Sequence, residues 1–258
     1  MKKGYLYFHQ GWSDIMCQLS LVNYYNLIYD ELIVVMRHDS DKLFNFYIRD
    51  LTGIYPKYIM TDNGRHINND HFNVSSEYDL LFHGHHDAHR NSIYSNSFVY
   101  NCNHNGLYFI EGFYRSYNID YNVRIEQFNL NRDIYQENVI YNNFINTHGK
   151  SYIIYHDDPM NHIHGPNSVS TKINFLIIYQ GIPYINLNKC SYTFFDYIEV
   201  IRNAMEIHLT DSVWAAMCYH IDAKYGIFSD KTINLYAKRG HVKMFTSPKL
   251  LSNWNIII

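Results

Sequence analysis

Polar side chains follow three apolar stretches of the sequence, at points where a predicted strand ends before a helix or loop. The three sets are residues 9–14, 156–158 and 208–212. Carboxylates and imidazoles can act as general acids or bases, and the free N–H groups of a helix N-terminus attract anions. The three sets therefore predict acid–base chemistry and anion binding at the ends of strands.

In the first set, Asp14 is a candidate general base. Gly11 would let the preceding backbone turn tightly or approach a ligand, and His9 lies in the same loop. The alternative is that Asp14 only stabilises the N-terminus of its helix through the helix dipole. A single glycine matches neither the dinucleotide-binding fingerprint nor the P-loop, so neither of those sites is predicted.

Anion binding is predicted most clearly in the third set. Ser212 and the first N–H groups of its helix suit a phosphate, whereas Asp211 would repel one unless it caps the helix or binds a sugar hydroxyl. In the second set, His156 precedes Asp157 and Asp158, which are either part of a site or a solvated turn before a proline.

Other charged and metal-binding side chains carry weaker signals. The basic candidates for contact with an anion are Arg115, Arg124, Lys238 and Arg239. Four histidines are close in sequence, namely His83, His85, His86 and His89. Their spacing is not that of a zinc site, and histidine is frequent throughout the chain, so no metal site is predicted.

Alternating strands and helices must position these side chains. Strands are predicted at 4–8, 31–36, 57–61, from 78 onward, and at 151–159, 183–188, 206–210 and 232–238. Helices are predicted at 14–29 with Ser13 as its cap, and at 41–51, 107–119, 132–150, 193–204 and 211–226. This order predicts an α/β fold of two Rossmann-like halves, residues 1–149 and 150–258.

Composition narrows the class of protein. The formal net charge of −3 argues against nucleic-acid binding by bulk electrostatics. No apolar stretch approaches the roughly 18–20 residues of a membrane span, and the first apolar run is too short for a secretory signal. The four cysteines, Cys17, Cys102, Cys190 and Cys218, are dispersed and are expected to be free thiols. A cytoplasmic protein is expected, in the host cytoplasm if the protein is viral.

Several segments together resemble small GT-B-type glycosyltransferases, of the heptosyltransferase-like and fucosyltransferase-like kind found in bacteria or viruses. The stretch FHQGWSDIMCQLSLVNYY resembles their first loop and helix, and YIIYHDDP resembles the strand that opens their second half. The stretch CSYTFFDYIEVIRNAMEIHLTDSVWAAM is similar to their donor-side strand–helix element, and NLYAKRGHVKMFTSPKLLSNW to their closing segment.

The resemblance implies a metal-independent glycosyltransferase with no cofactor. A nucleotide-sugar would bind in the C-terminal half and a glycan or other hydroxyl acceptor in the N-terminal half, across a cleft. Asp14 would be the catalytic base, with His9 and Gly11 in the acceptor loop. The donor contacts would be Ser212 at the diphosphate, with His156, Asp211 and Arg239. Two alternatives remain: a catalytically inactive glycan- or nucleotide-binding protein on the same fold, and a structural or assembly protein.

Overall fold

Two compact units make up the chain, unit 1 (Met1–Asn131) and unit 2 (Arg132–Ile258). The computed structural model describes residues 1–7, 11–59, 74–82, 109–115, 117–157, 181–187, 193–237, 242–249 and 251–257. In each unit parallel strands alternate with helices, which confirms the predicted α/β class and the two Rossmann-like halves.

Unit 1 is built on a parallel sheet with the strand order β3-β2-β1-β4. Its described elements are β1 (Lys3–Tyr7), α1 (Trp12–Asn26), β2 (Glu31–Arg37), α2 (Asp41–Ile48), β3 (Ile54–Ile59), β4 (Tyr78–Phe82), α3 (Phe109–Arg115) and α4 (Val123–Glu126). The chain winds from β1 to β3 in one direction and then returns to β4. The strand order therefore reverses between β1 and β4, which is where such sheets bind ligands.

Helix α1 has ten buried residues among its fifteen. It packs against β2 of the sheet and against α4. The Ser20 hydroxyl donates a 2.6 Å hydrogen bond to the carbonyl oxygen of Arg124, which joins α1 to α4. Because α1 follows the carboxyl end of β1, its first turn lies at the edge of the sheet where loops can contact a ligand.

Unit 2 is built on a parallel sheet with the order β6-β5-β7-β8-β9. Its described elements are α5 (Ile134–His148), β5 (Ile153–His156), β6 (Tyr184–Asn186), α6 (Ile198–Arg202), β7 (Glu206–Thr210), α7 (Val213–Tyr225), β8 (Ile233–Tyr236), α8 (Lys243–Thr246) and β9 (Trp254–Ile257). From β5 the chain passes to β6 on one side, and β7 lies on the other. The strand order therefore reverses between β5 and β7.

The boundary between the units differs from the predicted one at Gly149. The structure divides the chain after Asn131, so α5 belongs to unit 2. Helix α5 packs on α6, and the Arg132 guanidinium contacts Glu137 of α5 at 2.5 Å and Glu199 of α6 at 2.7 Å. Gly149 ends the helix instead of a domain: its φ is +85°, and its N–H donates to the carbonyl of Ile145.

Several element ends also differ from the sequence prediction. Gly11 is the N-cap residue of α1, and Ser13 lies within the helix. The predicted helix at 193–204 begins as a 3-10 turn, Phe194–Tyr197, before α6. The sequence prediction missed α4, α8 and β9. Gly226, in contrast, closes α7 as predicted, with a left-handed φ of +66°.

Candidate functional site

The polar ends of β5 and β7 meet in unit 2. The two strands are parallel neighbours with His156 paired to Leu209, so their carboxyl ends lie at the same level. His156 is the last residue of β5, and Thr210 is the last residue of β7. Ser212 follows at the start of α7. The sheet thus brings together side chains that are more than fifty residues apart in sequence.

His156 is the centre of this cluster. Its Nδ1 lies 2.8 Å from the Ser212 hydroxyl and 3.3 Å from the Thr210 hydroxyl, and all three side chains are buried. The shorter distance is that of an ordinary hydrogen bond, and the longer one is weak. A neutral imidazole that accepts the Ser212 hydrogen bond at Nδ1 carries its proton on Nε2, where it is a donor.

Ser212 occupies the N-cap position of α7, but its side chain does not cap the helix. The backbone there is extended, with φ −134° and ψ −178°, and the hydroxyl bonds to His156. No acidic residue lies in the first turn of α7. The first N–H groups of α7 therefore form the positive end of a helix dipole at the reversal point of the sheet.

Asp211 lies between the last residue of β7 and the N-cap. Its side chain is almost fully buried, and it does not occupy the N-cap position, which belongs to Ser212. A carboxylate next to a helix N-terminus is stabilised by the dipole. Asp211 brings a negative charge to the same helix end as the predicted phosphate contact, so a ligand there must also suit a carboxylate.

Aromatic side chains that the sequence analysis did not select pack beside His156. Trp214, in the first turn of α7, has its ring centroid 6.4 Å from that of His156. Phe194 and Tyr197 meet Trp214 edge to face, with centroids 4.9 and 5.8 Å away. Trp214 therefore lies beside the imidazole, and Phe194 and Tyr197 pack against the ring of Trp214. Of these residues, the sequence could have indicated Trp214, because it follows Ser212 by two positions.

His208, the first residue of the third predicted set, has different partners. Its Nδ1 lies 3.0 Å from the Tyr236 hydroxyl and its Nε2 lies 3.0 Å from the Glu206 carboxylate. Burial lowers the pKa of His208, although Glu206 acts in the opposite direction. The structure therefore places His208 in a separate buried network with Glu206 of β7 and Tyr236 of β8. His208 lies two residues before Thr210, the last residue of β7.

In unit 1 the structure brings Asp14 and Gly11 together. Asp14 lies in the first turn of α1 and is partly buried. Gly11 has φ −65° and ψ 165°, a backbone conformation that any residue adopts. The nearest described atom to a Cβ built on Gly11 is Asp14 Oδ2, at 3.8 Å. The local backbone does not require glycine, which leaves close approach of a ligand as its remaining predicted role.

The predicted basic contacts have separate outcomes. Arg124 is fully buried, donating to the Tyr121 hydroxyl at 2.7 Å and to Cys17 Sγ at 3.5 Å, so it is a core residue. Burial raises the pKa of the Cys17 thiol to about 12. Arg115 pairs with Glu111 on α3. Cys17 and Cys218 are buried free thiols.

Other predicted residues lie outside the described part of the chain: His9, His83, His85, His86, His89, Cys102, Asp158, Cys190, Lys238 and Arg239. Among the described residues, no group of three or more His, Cys, Asp or Glu side chains is arranged to hold a metal ion. The helices of the described segments are all too short or too polar to cross a membrane.

Comparisons with known proteins leave the chain without a matching relative. No protein-family model matches the sequence, and neither a curated protein nor a solved structure is significantly similar to it. The chemistry of the two strand-end sites must therefore be argued from their own geometry.

Proposed function

We propose that the chain is a metal-independent glycosyltransferase of the GT-B type, with the nucleotide-sugar donor in unit 2 and a glycan or other hydroxyl acceptor in unit 1. The observation that carries the proposal is the cluster of His156, Thr210 and Ser212. It lies at the reversal point of a parallel sheet, beside the N-terminus of a thirteen-residue helix. Sheets of this kind bind phosphorylated ligands at that point.

In the proposed donor site, the diphosphate binds the first N–H groups of α7. The Ser212 hydroxyl bonds to His156 and thereby fixes the orientation of the imidazole beside the ligand. Asp211 accepts a hydrogen bond from a hydroxyl of the nucleotide-sugar. This bond offsets the repulsion between the carboxylate and the nearby phosphate. A diphosphate leaving group gains negative charge as the glycosidic bond breaks, and these donors stabilise that charge.

In the proposed acceptor site, Asp14 is the general base. Its carboxylate takes the proton of the acceptor hydroxyl as the oxygen attacks the anomeric carbon of the donor. The bond from that carbon to the diphosphate oxygen breaks, and its electron pair leaves with the nucleoside diphosphate. Transferases of the GT-B type carry out the reaction in a cleft between two halves, so the proposal requires Asp14 to reach the donor sugar.

A turnover experiment tests the proposal. We expect wild-type protein to bind one member of a panel of UDP-, GDP- and ADP-sugars, seen as a rise in Tm, because a ligand bound only by the folded state stabilises it. We expect Asp14→Asn to keep that rise and to lower the rate of donor consumption by about 100-fold or more, because the base is lost.

The outcomes separate the candidate functions. Full turnover by Asp14→Asn would remove Asp14 from the base role. Donor binding with no turnover by wild-type protein, to water or to any saccharide, would favour the inactive binding protein instead. Absence of a Tm rise with every nucleotide-sugar would contradict the donor site itself and favour a structural role.

A further inference from the structure

Gln18 is an anomaly within α1. Its side chain is fully buried, and neither its amide nitrogen nor its amide oxygen has a hydrogen-bond partner among the described residues. Leaving a buried amide without partners costs free energy, and nearly all buried polar groups in proteins avoid it. An apolar side chain of the same length would fill this position with no such cost, so the amide requires an explanation.

The neighbours of Gln18 on the helix identify the group that its amide can serve. Residues three and four positions away lie beside a helical side chain. Three of these four residues, Ile15, Leu21 and Val22, are apolar and fully buried. The fourth is Asp14, one turn closer to the N-terminus. Side chains in an α-helix lean toward the helix N-terminus, so we expect the side chain at position 18 to extend toward the turn that holds Asp14.

We propose that Gln18 is a positioning residue for Asp14: its side-chain N–H, which has no partner among the described residues, hydrogen-bonds to the Asp14 carboxylate once the acceptor is bound and orients it while it takes the acceptor proton. The inference rests on the proposed function, because it assumes that Asp14 is the base. An amide donor one turn below a carboxylate orients it without competing for its proton, since an amide does not titrate at neutral pH. The buried amide then lowers the stability of the protein, and the residue is kept because the activity requires it.

The test replaces Gln18 by Met, which has a similar length and no hydrogen-bonding groups. We expect Q18M to raise the Tm by about 2 °C or more, because two unsatisfied buried polar atoms are removed. We expect kcat for donor consumption to fall by about 10- to 100-fold, with the KM for the nucleotide-sugar unchanged, because a misaligned base slows only proton transfer. A residue with a purely structural role would not combine higher stability with lower kcat.

Asn23, on the same helix, provides the matched control. It is also buried, but its amide donates to the Tyr47 hydroxyl at 2.7 Å and to the carbonyl of Gln127 at 2.8 Å. It lies more than two turns from Asp14. We expect Asn23→Leu to lower the Tm, because two bonded acceptors lose their donor, and to leave kcat within about 2-fold of the wild-type value.

Each result is decisive. A Q18M variant with wild-type kcat overturns the positioning role while Asp14→Asn still tests the base. A Q18M variant with a lower Tm shows that the amide is bonded in the folded protein, which also overturns the inference. If wild-type protein consumes no donor, the proposed function and the role of Gln18 fail together.

Discussion

The hydrogen bond between Ser212 and His156 gives each side chain a role that the sequence does not show. The sequence suggests that the Ser212 hydroxyl contacts a phosphate directly. In the structure this hydroxyl lies 2.8 Å from His156 Nδ1. In the proposed donor site, Ser212 therefore orients the imidazole, and the imidazole and the backbone N–H groups of α7 contact the ligand. Ser212 is therefore expected to affect donor binding through His156.

Substituting Ser212 by Ala tests this indirect role. We expect the Kd for the nucleotide-sugar to rise by about 2- to 10-fold, because the imidazole loses the hydrogen bond that fixes its orientation. Titration calorimetry with the nucleotide-sugar that raises the Tm measures the change. Thr210→Val is the control, since its hydroxyl lies 3.3 Å from the same Nδ1 and should contribute less. A larger effect from Thr210→Val would contradict the assignment of Ser212.

His208 predicts how stability depends on pH. Burial lowers the pKa of its imidazole in the folded protein, so the unfolded chain binds a proton first as the pH falls. The contribution of His208 to the free energy of unfolding is complete above its ordinary pKa of about 6.5. This contribution is lost as the pH falls from there toward the lowered pKa of the folded protein. The free energy of unfolding should decrease with acidification by up to about 1.4 kcal/mol per pH unit.

Urea unfolding of wild-type protein and His208→Gln at about pH 7.5 and about pH 5.5 measures this slope. We expect the variant to lose less stability on acidification, because its side chain does not titrate. His148→Gln, which changes an exposed histidine at the end of α5, is the control. An identical acid dependence in wild-type protein and His208→Gln would exclude His208 as its source.

At the scale of elements, Arg132 joins α5 to α6 within unit 2. Its guanidinium joins the fully buried carboxylate of Glu137 on α5 to Glu199 on α6. Burial raises the pKa of Glu137, and Arg132 opposes that shift. The carboxylate therefore depends on Arg132 to remain charged inside the unit.

Arg132→Met should destabilise unit 2 by about 3–5 kcal/mol, because it leaves a buried carboxylate without its cation. Trp12 lies in unit 1, whereas Trp214 and Trp254 lie in unit 2. Urea unfolding followed by tryptophan fluorescence in a Trp12→Phe background therefore reports on unit 2. Arg202→Met is the control, because Arg202 is largely exposed and contacts Glu199 at 3.4 Å; we expect a loss of under about 1 kcal/mol. Equal losses in the two variants would contradict the role given to Arg132.

Helix and strand positions were largely predictable from local patterns. The apolar run at 31–36 became β2, and the glycines at 149 and 226 end helices, because burial and backbone conformation at these positions depend on near neighbours in sequence. The N-cap of α1 was not predictable in this way, since a serine one residue inside the helix carries the stronger local signal. Strand β9 was missed because its short apolar run has no periodicity of its own.

At the scale of the whole molecule, the alternation of strands and helices predicted two α/β halves, and the structure has two parallel sheets. The strand orders β3-β2-β1-β4 and β6-β5-β7-β8-β9 could not be read from the sequence. Strand order depends on which elements pair across long separations, and no local residue pattern encodes those pairings. The reversal points of the sheets, and therefore the positions of both candidate sites, follow from these orders.

The sequence by itself determined the chemical types available at the strand ends: an aspartate at the start of α1, and a histidine, an aspartate and a serine around the start of α7. Only the tertiary structure decided their partners. It joined His156 to Ser212, gave His208 a separate network, turned Arg124 into a core residue and left the buried amide of Gln18 without a partner among the described residues. The reason is physical: residue types are fixed along the chain, whereas hydrogen bonds and burial depend on which distant segments the folded sheet brings within a few ångströms.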